Sequence, residues 1–403
     1  VFLGYRDFLG KRFGRVQTPP QNVLLITRTF PPVVGGIETF YHELASGMQD
    51  TATVLTEPHQ EAKAFDAKQN YKVIRRRLRY ELKTKFRVIN LLTLWLENLV
   101  ILFHATVLLI KAKPRSIVIG DGWVSWLIPI LRKLGCGKIS VLLMGKEIAR
   151  IKMFQKTRLI QSIRQADKVL VCSRYTGNFV KDCAVAEEKI RVLHPGVDTQ
   201  QYRVQKNGKP LLEKYGIEGK KIILSVSRLS ERKGIHKLIA AMPKILREIP
   251  EAVYLCVGSG TMQPQLEEQV RQLDLQGKVI FAGRPATHEL VHYYNLADLF
   301  VLPNLLLHEK GDTEGFGIVF MEAAACGKAV IAGKNGGTED AVENEKSGFL
   351  VNSENQNELV NQIVLLLKND EKRNRMGAYG RERAVKEFRW PLIQEKFRQC
   401  ILN

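Results

Sequence analysis

Short, continuously apolar runs alternate with longer amphipathic runs along this sequence, and that alternation constrains the fold more than any other feature. In the C-terminal half, apolar runs at 221–227 and 252–258 are followed by helical patterns at 235–247 and 262–274. Strands that are apolar on both faces are typical of a parallel sheet covered by crossover helices. The N-terminal half repeats the pattern, with candidate strands at 23–26, 51–55, 116–119, 139–143, 168–172 and 190–193. The sequence therefore predicts an α/β protein with two doubly wound domains.

The segment 195–220, rich in Gly, Lys and Gln, is the expected junction between the two domains. We predict an N-terminal domain of residues 1–198 and a C-terminal domain of residues 199–387. A helical pattern at 388–403 is expected to return to the first domain. Open α/β sheets bind ligands at the carboxyl ends of their strands, so a cleft between the domains is the expected site.

Charge is distributed unevenly along the chain. The net charge is +20, and residues 1–200 hold 32 Lys and Arg against 16 Asp and Glu. This excess indicates an anionic partner, and because the sequence contains no recognised nucleic-acid motif, a bilayer surface is favoured over nucleic acid. A basic surface that only solubilises the fold is the alternative. The predicted membrane face consists of Arg75, Arg76, Arg77, Arg79, Lys83, Lys85 and Arg87.

The apolar segment 91–110 follows this basic run directly. It contains Glu97, Asn98 and His104, which a single membrane span tolerates poorly, so a long buried or partly exposed helix is expected instead. The six cysteines form no C-x-x-C pair, and residues 1–15 lack the apolar core of a signal peptide. Both observations favour free thiols in a reducing cytoplasm.

Two strand-to-helix turns carry features that suit phosphate binding. Gly35-Gly36 lies between a predicted strand and an amphipathic helix, where backbone N–H groups can approach an anion, although a plain turn has the same composition. Arg228 ends a predicted strand and Lys233 lies at the start of the next helix, so the two cations can grip a diphosphate. The alternative is a solvated charged loop, and Arg232 is expected to be solvated.

Two carboxylates, Glu314 and Glu322, are eight residues apart in a segment where a glycine-rich loop becomes a helix near residue 317. Glu322 lies within an apolar run, where a carboxylate without a partner is costly. A functional pair is therefore favoured over a capped helix with one surface acid. The amides expected to bind an anion between the two carboxylates are those of Phe316, Gly317, Ile318 and Val319.

In this order and at these separations, the motifs resemble those of the retaining glycosyltransferases of family 4. The resemblance extends from about residue 22 to the C-terminus, and the sequence at 311–319 is most similar to that of phosphatidylinositol mannosyltransferases. It implies the GT-B fold, in which two Rossmann-like domains face each other across a cleft. The residues that carry it are Gly35-Gly36, His194 to Asp198, Arg228 with Lys233, Gly258-Ser259-Gly260, Glu314 with Glu322, and Gly336 to Glu339.

The resemblance also implies roles for individual residues. Arg228 and Lys233 would stabilise the departing diphosphate of a nucleotide sugar, and Glu314 would contact the transferred sugar. Fixed cations and helix amides can stabilise this charge, and the chain has no D-x-D motif, so no metal and no cofactor are expected. The expected donor-binding groups are Gly35 and Gly36 at the phosphates, Gly258, the backbone around Gly283-Arg284 at the base, and Glu322 at the ribose.

One position departs from the family. Where relatives read His-Gly-x-Glu or His-Gly-x-Asp, this chain reads Met144-Gly145-Lys146-Glu147. Methionine has no proton to donate and is a weak acceptor, so this site serves a different sugar or acceptor, or activity is reduced. Lys146 and Glu147 are retained as acceptor-side candidates.

These features predict a cytoplasmic glycosyltransferase, peripheral on the inner face of the membrane. It would move a hexose, with mannose from GDP-mannose preferred, to a membrane-associated lipid or glycan acceptor. The alternatives are a UDP-hexose-dependent transferase, a nucleotide-sugar epimerase of similar architecture, and a nucleotide-sugar-binding relative with weakened catalysis.

Overall fold

A computed structural model of the chain contains two parallel sheets. It describes residues 23–77, 87–120, 122–135, 137–145, 153–205, 208–307 and 312–402. The described residues form two compact units. The first contains those between 23 and 141 together with 165–168 and 398–402, and the second contains those within 142–164 and 169–397.

The first sheet has seven strands in the order β3-β2-β1-β4-β5-β6-β7. Registers such as Val23 opposite both Ala52 and Ser116 are parallel, and strands β1 and β2 are entirely buried. Continuous apolar sequence and burial on both faces therefore coincide, as predicted. The strands are β1 (Val23–Ile26), β2 (Ala52–Thr56), β3 (Lys72–Arg75), β4 (Ser116–Ile119), β5 (Lys138–Leu143), β6 (Lys168–Val171) and β7 (Ile190–Val192).

Six helices accompany the first sheet in the part of the chain that the structure describes. They are α1 (Gly36–Met48), α2 (Ala62–Asp66), α3 (Arg87–Ala112), α4 (Ile128–Lys133), α5 (Met153–Arg164) and α6 (Arg174–Asp182).

Helix α3 contains the apolar segment that the sequence predicted to be a long helix. Ile101, Ala105 and Leu109 are buried along one stripe, whereas Leu99 and Phe103 are 55% and 64% exposed. The helix therefore presents apolar side chains to the core on one side and to the surface on the other. In the part of the chain that the structure describes, no helix is both long and apolar enough to cross a bilayer.

The second sheet has six strands in the order β10-β9-β8-β11-β12-β13, again with parallel pairs. The strand order reverses between β8 and β11, which is where open α/β sheets bind ligands. The strands are β8 (Lys221–Val226), β9 (Ala252–Val257), β10 (Val279–Gly283), β11 (Leu299–Leu302), β12 (Ala329–Gly333) and β13 (Gly348–Val351).

Nine helices follow in the C-terminal half of the described chain. They are α7 (Lys209–Tyr215), α8 (Ile235–Glu248), α9 (Gln263–Gln272), α10 (Leu290–Leu296), α11 (Ile318–Ala325), α12 (Thr338–Ala341), α13 (Gln356–Lys368), α14 (Asp370–Glu387) and α15 (Trp390–Leu402). Helix α7 lies within the segment predicted to be the domain junction. In the first unit, Arg398 near the end of α15 donates a 2.7 Å hydrogen bond to the carbonyl of Gly47.

The prediction that Arg75 belongs to a membrane-facing surface is wrong. Arg75 is the last residue of β3, a strand that the sequence analysis did not identify. Its side chain is 10% exposed and its Nε donates to Oδ2 of Asp66 at 2.8 Å. Its guanidinium also donates to the carbonyls of Glu57 and Pro31, so Arg75 fastens loops of the first unit together.

Candidate functional site

The loops that follow β8 and β11 pack directly on each other. After β8 the chain passes Arg228 and forms a short 3-10 turn at Glu231–Lys233. Gly234 ends this turn with φ 68°, and a Cβ there would overlap the carbonyl oxygen of Pro303, just beyond β11. Only glycine meets both conditions, so this position fixes the turn against the end of β11.

Glu314 lies in the loop before α11 and collects three donors on one oxygen. Its Oε2 accepts from Nη1 of Arg232 at 2.5 Å, from Nζ of Lys233 at 2.6 Å and from Nδ2 of Asn304 at 2.7 Å. The residue is 8% exposed. The structure thus joins the two predicted residues Lys233 and Glu314 in a buried ion pair.

The charges around Glu314 determine its protonation state. Burial alone would raise the pKa of this carboxyl, but the charges of Lys233 and Arg232 and their hydrogen bonds outweigh it and lower the pKa to about 2. Glu314 is therefore an ionised hydrogen-bond acceptor at neutral pH and cannot serve as a general acid.

The expectation that Arg232 is solvated is wrong. Arg232 is 5% exposed, and besides Glu314 it pairs with Asp312, with Nε 3.3 Å from Oδ1. Its own backbone carbonyl accepts from the amide of Leu305 at 2.7 Å. No local signal could have predicted this role, because Glu314, a partner of Arg232, lies 82 residues further along the chain.

Arg228 shortly precedes Arg232 in sequence, and the glycines of the loop after β9 pack against the loop that carries it. Arg228 is exposed just beyond β8. Gly258 has φ 133°, and a Cβ there would overlap the carbonyl of Ser227, while one on Gly260 would overlap the carbonyl of Leu229. These glycines therefore allow backbone to approach the loop that carries Arg228, and donor binding at Gly258 stays a prediction.

Glu322 lies on α11 and is held by tyrosines. The hydroxyl of Tyr294 donates to its Oε2 at 2.5 Å, and Tyr202 provides a further hydrogen bond. Burial raises the pKa of Glu322 to about 7, although both tyrosine hydrogen bonds favour the ionised form. The sequence analysis expected a partner for this carboxylate because of its apolar surroundings, and the structure provides the hydroxyl group of Tyr294. The predicted ribose contact stays a prediction.

Helix α11 begins where the sequence predicted. Gly317 occupies its N-cap with φ 91°, and Ile318 is its first residue, so the amides of residues 316–319 lie at its N-terminus. The Phe316 side chain is buried, with ring centroids 5.3 Å from His194 and 5.7 Å from Phe388. Only the backbone of Phe316 is therefore available to an anion.

A further buried carboxylate, Asp340 on α12, was not identified from the sequence. It accepts from the backbone amide and the Nε of Arg174, each at 2.6 Å, and lies 2.9 Å from Nε2 of His194. Burial disfavours its ionisation, but these hydrogen bonds lower its pKa to about 2. Within the second unit, Asp340 thereby links residues 174 and 194 to the segment that follows β12.

The first unit contains the Gly35-Gly36 turn. Gly36 is the first residue of α1, and a Cβ on Gly35 would overlap the carboxylate of Glu38, which accepts a hydrogen bond from Thr29. Because the Glu38 carboxylate is the end of a flexible side chain and Gly35 has an extended backbone with φ 178°, this contact does not require glycine at residue 35. The roles of both glycines at the donor phosphates stay predictions.

The structure describes the side chains of only some of the remaining residues that the sequence analysis singled out. Arg76, Arg77 and Arg284 are exposed, whereas Met144 is buried beside Gly315. The other residues lie outside the part of the chain whose side chains are described, namely Arg79, Lys83, Lys85, Arg87, Lys146 and Glu147.

Comparison with known proteins identifies the class. Solved structures similar over 94% of this chain include HepE of Anabaena in complex with UDP, with a TM-score of 0.78 and 20% identity over 98% of that chain. Another is the sucrose-phosphate synthase of Thermosynechococcus elongatus, with a TM-score of 0.77 and 22% identity over 98% of that chain. The protein has the GT-B fold, with two Rossmann-like domains.

Sequence comparison identifies the family. The family model described as "Glycosyltransferase Family 4" matches residues 34–201, and the one described as "Glycosyl transferases group 1" matches residues 209–383. The chain belongs to glycosyltransferase family 4, as the sequence motifs predicted.

The relatives of this chain include mannosyltransferases. A GDP-mannose-dependent alpha-(1-6)-phosphatidylinositol monomannoside mannosyltransferase of Mycobacterium tuberculosis is 29% identical, covering 93% of this chain and 96% of the relative. A GDP-mannose-dependent monoacylated alpha-(1-6)-phosphatidylinositol monomannoside mannosyltransferase of Corynebacterium glutamicum is 26% identical over the same shares.

Proposed function

We propose that this glycosyltransferase moves a mannosyl group from GDP-mannose to a membrane-associated lipid or glycan acceptor. The observation that carries this proposal is the similarity, over 93% of the chain, to mannosyltransferases described as GDP-mannose-dependent and as acting on phosphatidylinositol mannosides. Similarity over nearly the whole chain includes both the donor half and the acceptor half.

In the proposed reaction, Arg228 and Lys233 bind the donor diphosphate and stabilise the charge that develops as the sugar–phosphate bond breaks. The amides of residues 316–319 add donors at the N-terminus of α11. Glu314 accepts hydrogen bonds from the transferred sugar and Glu322 from the ribose. These fixed groups do the work of a metal, and the anomeric configuration is retained.

We propose that the enzyme acts at the inner face of the cytoplasmic membrane. Leu99, Phe103 and Ile110 present exposed apolar side chains along α3, and Arg76 and Arg77 are exposed after β3. Apolar side chains beside cations bind an anionic bilayer, each cation contributing about 1 kcal/mol near the surface. An acceptor in the bilayer would then meet an enzyme that is already docked.

A second candidate is a transferase that uses a UDP-hexose. It is favoured by the similarity of fold to HepE, which has been solved with UDP-glucose. A third is a nucleotide-sugar-binding protein with weakened catalysis, which is suggested by Met144 at the position where relatives have histidine. These candidates differ in the ligand that stabilises the protein and in turnover.

The experiment is a thermal-shift panel of GDP, UDP, GDP-mannose, GDP-glucose and UDP-glucose, followed by transfer from labelled GDP-mannose to vesicles containing phosphatidylinositol mannosides. A ligand at 100 times its Kd stabilises the protein by about 2.7 kcal/mol. Stabilisation by GDP-sugars with label in the extracted lipid supports the proposal. Stabilisation by UDP-sugars alone favours the second candidate, binding without transfer favours the third, and no shift with any nucleotide overturns all three.

Two further measurements test the chemistry. Turnover unchanged by EDTA is expected of a metal-independent enzyme, and loss of turnover that Mg²⁺ or Mn²⁺ restores would refute it. The anomeric configuration of the first-formed product, read by NMR, is expected to match that of the donor.

A further inference from the structure

Arg232 is a buried cation that the proposed reaction does not use. Its Nη1 bonds Oε2 of Glu314 at 2.5 Å and its Nε lies 3.3 Å from Oδ1 of Asp312, while its backbone carbonyl is held by Leu305. A residue fixed at both its main chain and its guanidinium is pre-organised. Its charge is directed at Glu314 and Asp312 rather than at solvent.

Lys233, in contrast, has two tasks that compete. Its ammonium bonds Glu314 at 2.6 Å, yet the proposed reaction requires it at the donor diphosphate. If Lys233 turned to the diphosphate and nothing else held Glu314, a buried carboxylate would lose its partner, which is costly. Arg232 and Asn304 bond the same oxygen and remain when Lys233 leaves.

We propose that Arg232 is a positioning residue that keeps the Glu314 carboxylate ionised and in place, so that Lys233 can leave it for the donor diphosphate. The inference rests on the proposed function. A lysine at residue 232 would carry the charge but has one nitrogen, and it could not bond Glu314 and Asp312 in the geometry of the guanidinium.

The test compares Arg232→Met and Arg232→Lys with the wild type. The control is Arg271→Met, which removes an exposed arginine that pairs with Glu268 three residues away. In Arg232→Met, Lys233 stays bound to Glu314 and is lost to the donor diphosphate, so kcat/KM for GDP-mannose should fall about 10- to 100-fold, with a lower kcat. Arg232→Lys should recover part of kcat, and the control should match the wild type.

The pH dependence separates positioning from mere support of the fold. Within the described residues, the charged groups that face Glu314 are Arg232 and Lys233, and Asp312 faces Arg232. Removing Arg232 should move the acid limb of the kcat profile upward by about one pH unit or more. A residue that only stabilises the fold would lower Tm and leave this limb in place.

A donor-independent readout keeps the two proposals distinguishable. The ¹³C carboxyl resonance of Glu314, assigned by its absence in Glu314→Gln, should titrate at higher pH in Arg232→Met than in the wild type, with Arg232→Lys between them.

If the wild type turns over no nucleotide sugar, the proposed function fails and the titration still decides whether Arg232 keeps Glu314 ionised. If Arg232→Met does not fold, Arg232→Lys decides. An unchanged titration, or an unchanged kcat and acid limb in a folded variant, overturns the inference.

Discussion

The phenol of Tyr294 donates a 2.5 Å hydrogen bond to the carboxylate of Glu322. Tyr294 is fully buried and Tyr202 packs edge-on against it, with ring centroids 5.6 Å apart. Burial raises the pKa of Glu322 to about 7, whereas the cations around Glu314 lower its pKa to about 2. Two carboxylates eight residues apart therefore differ in charge near neutral pH, and only Glu322 changes its charge there.

Donor affinity is expected to rise with pH through about 7. The ionised Glu322 accepts stronger hydrogen bonds from the ribose hydroxyls than the protonated carboxyl does, so the donor binds more tightly once the proton leaves. Because the pKa of Glu322 is raised to about 7, the affinity should be lower at pH 6 and level off near pH 8. Isothermal titration with GDP-mannose between pH 5.5 and 8.5 measures this dependence.

The control is Glu322→Gln, which cannot ionise. It should bind the donor more weakly at pH 8 and show no rise between pH 6 and 8. A wild-type affinity that is flat over this range would contradict the ribose role of Glu322.

Tyr294→Phe tests the hydrogen bond itself. Losing a donor to the carboxylate should raise the pKa of Glu322 further and move the rise in donor affinity to higher pH. Stability should fall by about 1–2 kcal/mol, because a hydrogen bond to a charged group is lost without a change in packing. The measurements are the pH series above and urea unfolding. The matched control is Tyr379→Phe, which removes a hydroxyl bonded to Glu343 on the surface and should leave the pH series unchanged.

A site residue was predictable when its signal lay in its own stretch of sequence. It was not predictable when its role depends on a hydrogen-bond partner far away in the chain. Glu314 before a helix and Glu322 within it were found, because spacing, glycines and the apolar run are local signals. Two of their partners, Arg232 and Tyr294, were not found, since they come from other loops and helices and are placed only by folding. Local sequence therefore identified the carboxylates but not what sets their pKa values.

The same reasoning explains the errors outside the site. Arg75 belongs to a basic run that a sequence alone would place at the surface. In the structure, β3 brings its side chain into contact with Asp66, the last residue of α2, nine residues earlier. The buried parallel strands were predicted well because continuous apolar runs need no partner to be recognised. A short edge strand with charged residues carries no such signal.

Arg228→Ala is expected to lower kcat/KM about 100-fold or more. Arg228 is exposed beyond the end of β8, and in the proposed reaction its guanidinium meets the charge that develops on the leaving diphosphate. Because the side chain is exposed, Tm should change little. Steady-state kinetics with labelled GDP-mannose measure the effect, and Arg271→Ala is the control. Normal turnover in a folded Arg228→Ala protein would remove Arg228 from the diphosphate site.

Neutralising Arg76 and Arg77 together with Leu99→Ser and Phe103→Ser should weaken binding to anionic vesicles. Losing two cations alone is expected to cost about 2 kcal/mol near the surface, or roughly 30-fold in the partition coefficient, and the two serines add the loss of apolar insertion. Sedimentation with vesicles that contain or lack phosphatidylinositol measures both contributions. Arg75 is left intact because its bond to Asp66 supports the fold.

The control for the apolar face is Leu365→Ser with Val385→Ser, two apolar residues on helices α13 and α14 that are 38% and 39% exposed. The docking proposal predicts that α3 substitutions release the protein from vesicles whereas the control does not. It also predicts that raised salt removes the contribution of Arg76 and Arg77 but leaves that of Phe103, because screening acts on charge and not on apolar burial. Equal binding by all variants would show that neither α3 nor the two arginines contacts the bilayer.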